Sequence, residues 1–299
     1  MKKTLKISLI ILCEFIIIIQ SCQVPKAKNK KFYGYNFDQS FEHLKLPKIL
    51  HEISGITAID SINFACIQDE IGVIFIFNSK RNEITKELPF HVEGDYEGIA
   101  KTDSSLFILR SDGVLFETRL SNDSASVVNI YETPIPADNN EGLCYDEANN
   151  RLLIACKGKV GKGKEFKDQR FIYAFDLQTR SLSDEPVIRL DVNELIAFAI
   201  DQGIVLDQKK KKSNANYVLK FRPSAIGIHP LNHKLFLLSA VDHMLFIFDE
   251  NGKIEHIERL DEQTYNKAEG IAFFENGDLL ITNEGQNKKP SIICLKYKL

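Results

Sequence analysis

Five positions able to bind a proton or a cation recur along this chain: Ser54, Glu97, Glu141, Ser224 and Glu269. Each opens the same short pattern, Ser54-Gly55-Ile56, Glu97-Gly98-Ile99, Glu141-Gly142-Leu143, Ser224-Ala225-Ile226 and Glu269-Gly270-Ile271. The intervals between them are 43, 44, 83 and 45 residues. Fifteen residues beyond each comes a second set, Asp69, Asp112, Cys156, Ser239 and Glu284. Glutamates brought to one point raise one another's pKa or recruit a cation. Oxygen donors without His or Cys suit a hard divalent ion. Calcium accepts six to eight oxygens in loose geometry, which glutamates, serines, carbonyls and water can supply. The other reading is structural, with each Glu bonding backbone N–H groups of the neighbouring repeat and holding it in register.

Something must gather residues that lie so far apart in sequence. A unit of about 40–45 residues built from short strands is the period of a β-propeller blade. The expected fold is all-β, a propeller of five blades, with six as the alternative. Innermost strands line the central channel, so Glu97, Glu141 and Glu269 would face one axis as metal ligands, with Glu284 beside them. Ser54, Asp69, Asp112 and Ser224 form a possible second layer, the two aspartates placed opposite the first set by hairpin pairing. In the last repeat, Ala268 to Phe274 and Leu279 to Asn283 flank a turn at Glu275-Asn276-Gly277-Asp278, and Ser291 to Tyr297 follows. A segment near 41–50 is expected to supply the fourth strand, closing the ring with strands from both termini and covering sheet edges. The long interval reads as an insertion. Asp191-Val192-Asn193-Glu194 has the form of a helix capping box and Gly203 can end the helix. Gln208 to Asn216, with four lysines in a row, reads as an exposed loop.

The ends suggest export. Lys2, Lys3 and Lys6 precede an apolar run from Ile7 to Ile19, and Ser21-Cys22 ends it. This describes a signal peptide over 1–21, with cleavage before Cys22 and lipidation of its thiol. The competing reading, a membrane-spanning anchor, needs about 20 apolar residues. Residues 22–40 then form a lipidated linker and 41–299 the propeller. The expected location is the cell envelope, on the outer membrane facing the periplasm. Net charge is −3, so no global field recommends nucleic acid. The expected state is a monomer with a protein or small-molecule partner. Cys66, Cys144, Cys156 and Cys294 lie in apolar runs without metal-ligand spacing and read as buried thiols. Gly158 and Gly163-Lys164 mimic a nucleotide-binding loop, but Glu165 stands where Ser or Thr is needed. The histidines keep no common register, and His229-Pro230 reads as a turn.

These residues resemble the SdiA-regulated (YjiK-like) family of bacterial propeller proteins. The resemblance is carried by Ser54-Gly55, Glu97-Gly98, Glu141-Gly142, Arg222-Pro223-Ser224-Ala225, Ala268-Glu269-Gly270-Ile271 and Thr282-Asn283-Glu284, over about residues 45–299. It implies a five-bladed, exported propeller with a calcium site at Glu97, Glu141 and Glu269, Glu284 close by, and no established enzymatic activity. The chain departs from that pattern at Cys156-Lys157. A calcium-binding scaffold or sensor is therefore expected. The alternative is a calcium-dependent hydrolase of phytase or lactonase type, with Asp112 or Glu284 as its base.

Overall fold

A computed structural model describes residues 34–39, 42–121, 123–209 and 216–298. The expected signal peptide, Cys22 and most of the 22–40 linker lie outside the described residues. No helix among the described residues is long and apolar enough to cross a membrane. The chain forms five antiparallel blades. Strand β1 (Glu42–Lys45) is followed by the first blade, β2 (Ile53–Ala58), β3 (Asn63–Gln68), β4 (Val73–Asn78) and β5 (Glu83–Pro89). The second blade holds β6 (Tyr96–Lys101), β7 (Leu106–Arg110), β8 (Leu115–Leu120) and β9 (Ala125–Tyr131). The third holds β10 (Asn140–Asp146), β11 (Arg151–Cys156) and β12 (Gln169–Asp176), with its outer position shared by β13 (Ser181–Leu182) and β14 (Ile188–Asp191).

Between the third and fourth blades lies the expected insertion. Helix α1 (Val192–Asp201) is followed by a two-stranded ribbon, β15 (Asp207–Lys209) and β16 (Asn216–Val218). Asp191 caps the helix, its Oδ1 accepting from the Asn193 N–H at 2.7 Å. Gly203 follows in the left-handed region at φ +69°, which ends it. Val192, Leu195 and Ala199 turn into the core between blades three and four. The ends of the expected exposed loop, Gln208-Lys209 and Asn216, are strand residues of this ribbon; residues 210–215 fall outside the described set. The fourth blade holds β17 (Ala225–Ile228), β18 (Leu235–Ser239), β19 (Met244–Phe248) and β20 (Ile254–Arg259). The fifth holds β21 (Ala268–Phe273), β22 (Leu279–Asn283) and β23 (Ser291–Leu295).

Strand β1 completes that last blade. It pairs antiparallel with β23, Leu44 opposite Ile292 and Lys45 opposite Ser291, so strands from both ends of the domain close the ring. The edge of β23 is thereby covered. Strands buried on both faces explain why the central runs are continuously apolar, as in Phe75-Ile76-Phe77 and Leu245-Phe246-Ile247-Phe248. The core consists of five apolar clusters, one between each pair of adjacent blades. Residues 34–39 add to the cluster between blades four and five. Tyr35 is fully buried against Phe236, His229 and Tyr297, and its hydroxyl donates to the Gly277 carbonyl. All four cysteines beyond Cys22 are buried, unpaired thiols.

Candidate functional site at the channel mouth

The recurring Ser/Glu-Gly pattern is the sequence of a β-bulge. In four blades the register slips at the key position. Ile53 faces Gln68 while Gly55 faces Ile67, and Tyr96 faces Arg110 while Gly98 faces Leu109. Asn140 and Gly142 face Cys156 and Ala155, and Ala268 and Gly270 face Asn283 and Thr282. Ser54, Glu97, Glu141 and Glu269 are therefore the extra, unpaired residues. A bulge re-aims its side chain, and here it turns four of them to the axis. The fourth blade has Ser224-Ala225 and no bulge; its strand pairs regularly from Ala225.

The glycines follow from crowding at that axis. A Cβ on Gly98 would lie 2.6 Å from the Leu143 Cβ and 3.0 Å from the Glu141 carbonyl oxygen. One on Gly55 would lie 2.9 Å from the Ile99 nitrogen. At these bulges the neighbouring inner strand comes too close for a Cβ, which glycine alone avoids; Ala225 occupies the position in the blade without a bulge.

The two serines bind blade to blade. The Ser54 hydroxyl donates to the Tyr96 carbonyl at 2.7 Å, and Ser224 donates to the Ala268 carbonyl at 2.8 Å. Both acceptors immediately precede a key glutamate. Glu97, Glu141 and Glu269 together line a narrow opening with Ser54 and the aliphatic residues two positions on. Glu141 and Glu269 are 4% and 6% exposed. Burial, and then the negative charge of Glu141, push the Glu97 carboxyl up to about 9. Burial lifts Glu269 to about 7, against the pull of Lys157 and with a further push from Glu141. Burial also raises Glu141, while Lys157 holds it back.

Two lysines among the carboxylates are what the spacing of acids did not reveal. Lys157 Nζ lies 2.5 Å from Glu141 Oε1. Lys267 Nζ lies 2.5 Å from Glu284 Oε1 and 3.5 Å from Glu269 Oε1. Burial works against each ammonium, but the surrounding carboxylates outweigh it and raise both pKa values. As the side chains stand, no three His, Cys, Asp or Glu among the described residues enclose a metal-sized point. The unpartnered buried atoms beside the mouth are nevertheless oxygens, the donor type a hard cation prefers. Eight buried side-chain N or O atoms among the described residues lack a hydrogen-bond partner, and six of them lie in this region: Asp69 Oδ1, Asn139 Oδ1, Asn140 Oδ1, Glu141 Oε2, Thr282 Oγ1 and Asn283 Oδ1. All six are oxygens, and Asn140 and Asn283 sit beside the bulges that carry Glu141 and Glu269.

The second set is scattered by the bulges. Glu284 falls one residue beyond the Ala268–Asn283 pair, and its N–H donates to the Lys267 carbonyl. Its carboxylate shares Lys267 with Glu269 and adds its negative charge to that of the mouth. Asp69 is near it: burial and then the charges of Glu52 and Glu284 raise its carboxyl to about 6. Asp112 does not join them. It lies in the turn beyond β7, bound by Arg110 through two contacts of 2.8 and 2.9 Å. Cys156 pairs with Asn140, and Ser239 donates to Asp242 at 2.6 Å. His229 is more than a turn residue. It is fully buried, stacked on Phe236, and its Nδ1 accepts from the Leu231 and Asn232 N–H groups.

The chain is similar in fold to the glutaminyl cyclase of Myxococcus xanthus, with a TM-score of 0.57 at 11% identity over 86% of this chain and 95% of that one. It is similar also to the PQQ-bound aldose sugar dehydrogenase of Streptomyces coelicolor, with a TM-score of 0.52 at 11% identity over 87% of this chain and 98% of that one. No protein-family model matches the sequence, and no curated protein matches it. At such low identity these likenesses establish architecture alone: the chain is a β-propeller.

Proposed function

We propose that this chain is a cation-binding propeller of the bacterial envelope, a lipid-anchored protein of the SdiA-regulated type whose channel mouth holds calcium. The observation that carries this reading is three bulge-borne glutamates lining one narrow opening, with unpartnered oxygens on Glu141 and on the residues beside two of the bulges. A buried acceptor without a donor costs about 1–3 kcal/mol, so Glu141 Oε2 at the mouth and the Asn140 and Asn283 Oδ1 atoms beside two of the bulges favour an occupant that supplies positive charge. Glu97, Glu141 and Glu269 would hold the ion, with Asn140 and Asn283 as neutral oxygen donors. Glu141 keeps a free Oε2 even with Lys157 on its Oε1.

The lysines favour a second reading, in which Lys157 and Lys267 are the resident counter-ions and the network only fastens the blades. The two readings part on a measurement. Terbium, a luminescent calcium substitute, should bind the mature chain saturably and be displaced by calcium more readily than by magnesium, which demands tighter octahedral geometry. A Glu141→Gln variant should lose that binding. Terbium emission unaffected by calcium, or identical in wild type and variant, assigns the network to blade fastening. Fatty-acid labelling of wild type and Cys22→Ala tests the anchor; equal labelling rejects it.

A further inference from the structure

The opposite end of the channel has a different chemistry. Two residues beyond each key position stands an aliphatic side chain, Ile56, Ile99, Leu143, Ile226 and Ile271, each no more than 6% exposed. These five form a collar below the acidic mouth. Beyond it the channel widens into a cavity of about 1550 Å³. The collar is the floor of this cavity, and Ala58, Ala100, Ala272 and Phe273 extend the apolar surface. Small-molecule sites commonly enclose about 300–1,000 Å³, so this space suits a larger ligand.

The rim is acidic. Asp60, Asp103, Glu147, Glu250 and Glu275 are exposed around it, against Lys80 and Lys101. Two other lining carboxylates are already neutralised, Asp146 by Arg151 at 2.7 Å and Asp278 by Lys296 at 2.5 Å. Blades two and three place a more specific feature on the wall. The half-buried Tyr145 lines this wall together with the exposed Asp103 of blade two and Glu147 of blade three. An aromatic ring flanked by carboxylates from two blades is a receptor for a guanidinium or ammonium group.

We infer that this cavity binds a short peptide segment that alternates basic and apolar side chains, with the apolar ones on the aliphatic floor and a basic one at Tyr145, Asp103 and Glu147. The site is separate from the cation mouth and does not depend on it. Binding should weaken with salt, because exposed charges are screened beyond about 8–10 Å at physiological ionic strength.

The test uses the mature chain and a fluorescent acetyl-Leu-Arg-Leu-Arg-Leu-amide, read by anisotropy. Saturable binding is expected, several-fold weaker in 0.5 M salt. The double variant Asp103→Asn/Glu147→Gln should weaken it about fivefold, on the scale of two exposed ionic contacts. Ala58→Trp, which fills the floor, should weaken it further, while Glu262→Gln, at an exposed position outside both sites, should leave it unchanged. The proposal is overturned by equal binding of the Leu-Glu-Leu-Glu-Leu counterpart, or by full-strength binding to Asp103→Asn/Glu147→Gln and Ala58→Trp. Loss of binding in Glu262→Gln would make the weakening unspecific and overturn the proposal too. Argininamide alone binding as tightly as the peptide would overturn the peptide assignment.

Discussion

Replacing Glu97 by Gln should stabilise the protein when calcium is absent. The carboxyl of Glu97 is lifted to about 9 by burial and by Glu141, from an ordinary value of 4.5. Between pH 4.5 and 7 the folded state therefore keeps a proton that the unfolded chain loses. Stability falls as pH rises wherever the folded state binds more protons, by about 1.4 kcal/mol per pH unit for one full proton. Over that interval the loss is about 3 kcal/mol, and it continues until pH passes the folded pKa. Gln keeps the shape and removes the titration, so the variant should regain about that amount at pH 7. For a domain of this size, 1 kcal/mol moves Tm by about 2–4 °C. Thermal melts of wild type and Glu97→Gln in chelator, from pH 5 to 8, give the answer. The difference in Tm should be small at pH 5 and widen to about 6–12 °C at neutral pH. A variant less stable than wild type, or a gap that does not grow with pH, would refute the argument that an uncompensated carboxyl sits at the axis.

Three further outcomes follow from the same geometry. Gly98→Ala drives a Cβ against Leu143 and the Glu141 carbonyl and should cost about 1–3 kcal/mol, measured by urea unfolding. Ser224→Ala removes the hydroxyl bond to the Ala268 carbonyl and should cost about 1 kcal/mol by the same measurement. A chain starting at Leu46 lacks β1 and exposes the edge of β23; light scattering should show association, and its Tm should fall.

The architecture was legible because a blade is a local unit repeated. The Ser/Glu-Gly-apolar pattern returned at blade intervals, and Asp191 and Gly203 marked a helix where a sixth blade would otherwise stand. The closing strand was legible as a deficit in the last blade. The layering of the site was not. Counting fifteen residues assumes an unbroken ladder, but one extra residue at each bulge shifts every partner beyond it. That is why Glu284 meets Lys267 and not Glu269, and why Asp112 is left in a turn with Arg110. Lys157 was visible in the sequence only as a departure from the family pattern and Lys267 not at all, because acids alone carried the pattern; both lie within two residues of a position in one of the two recurring sets. The burial of His229 arises from Tyr35 and Tyr297, which come from opposite ends of the chain, so no local signal could disclose it.

The most direct test of the account is the melting temperature of the mature chain in calcium and in chelator, for wild type, Glu141→Gln and Lys157→Gln at pH 8. An ion that binds only the native state adds RT ln(1 + [L]/Kd), about 2.7 kcal/mol at a hundredfold excess over Kd. Wild type should therefore melt several degrees higher in calcium. The effect should shrink at pH 6, where protons compete for Glu97 and Glu269, vanish in Glu141→Gln, and grow in Lys157→Gln, where the competing ammonium is gone. Equal melting of wild type with and without millimolar calcium, in a chain shown to be folded, would contradict the cation site and leave the three glutamates as partners of the two lysines alone.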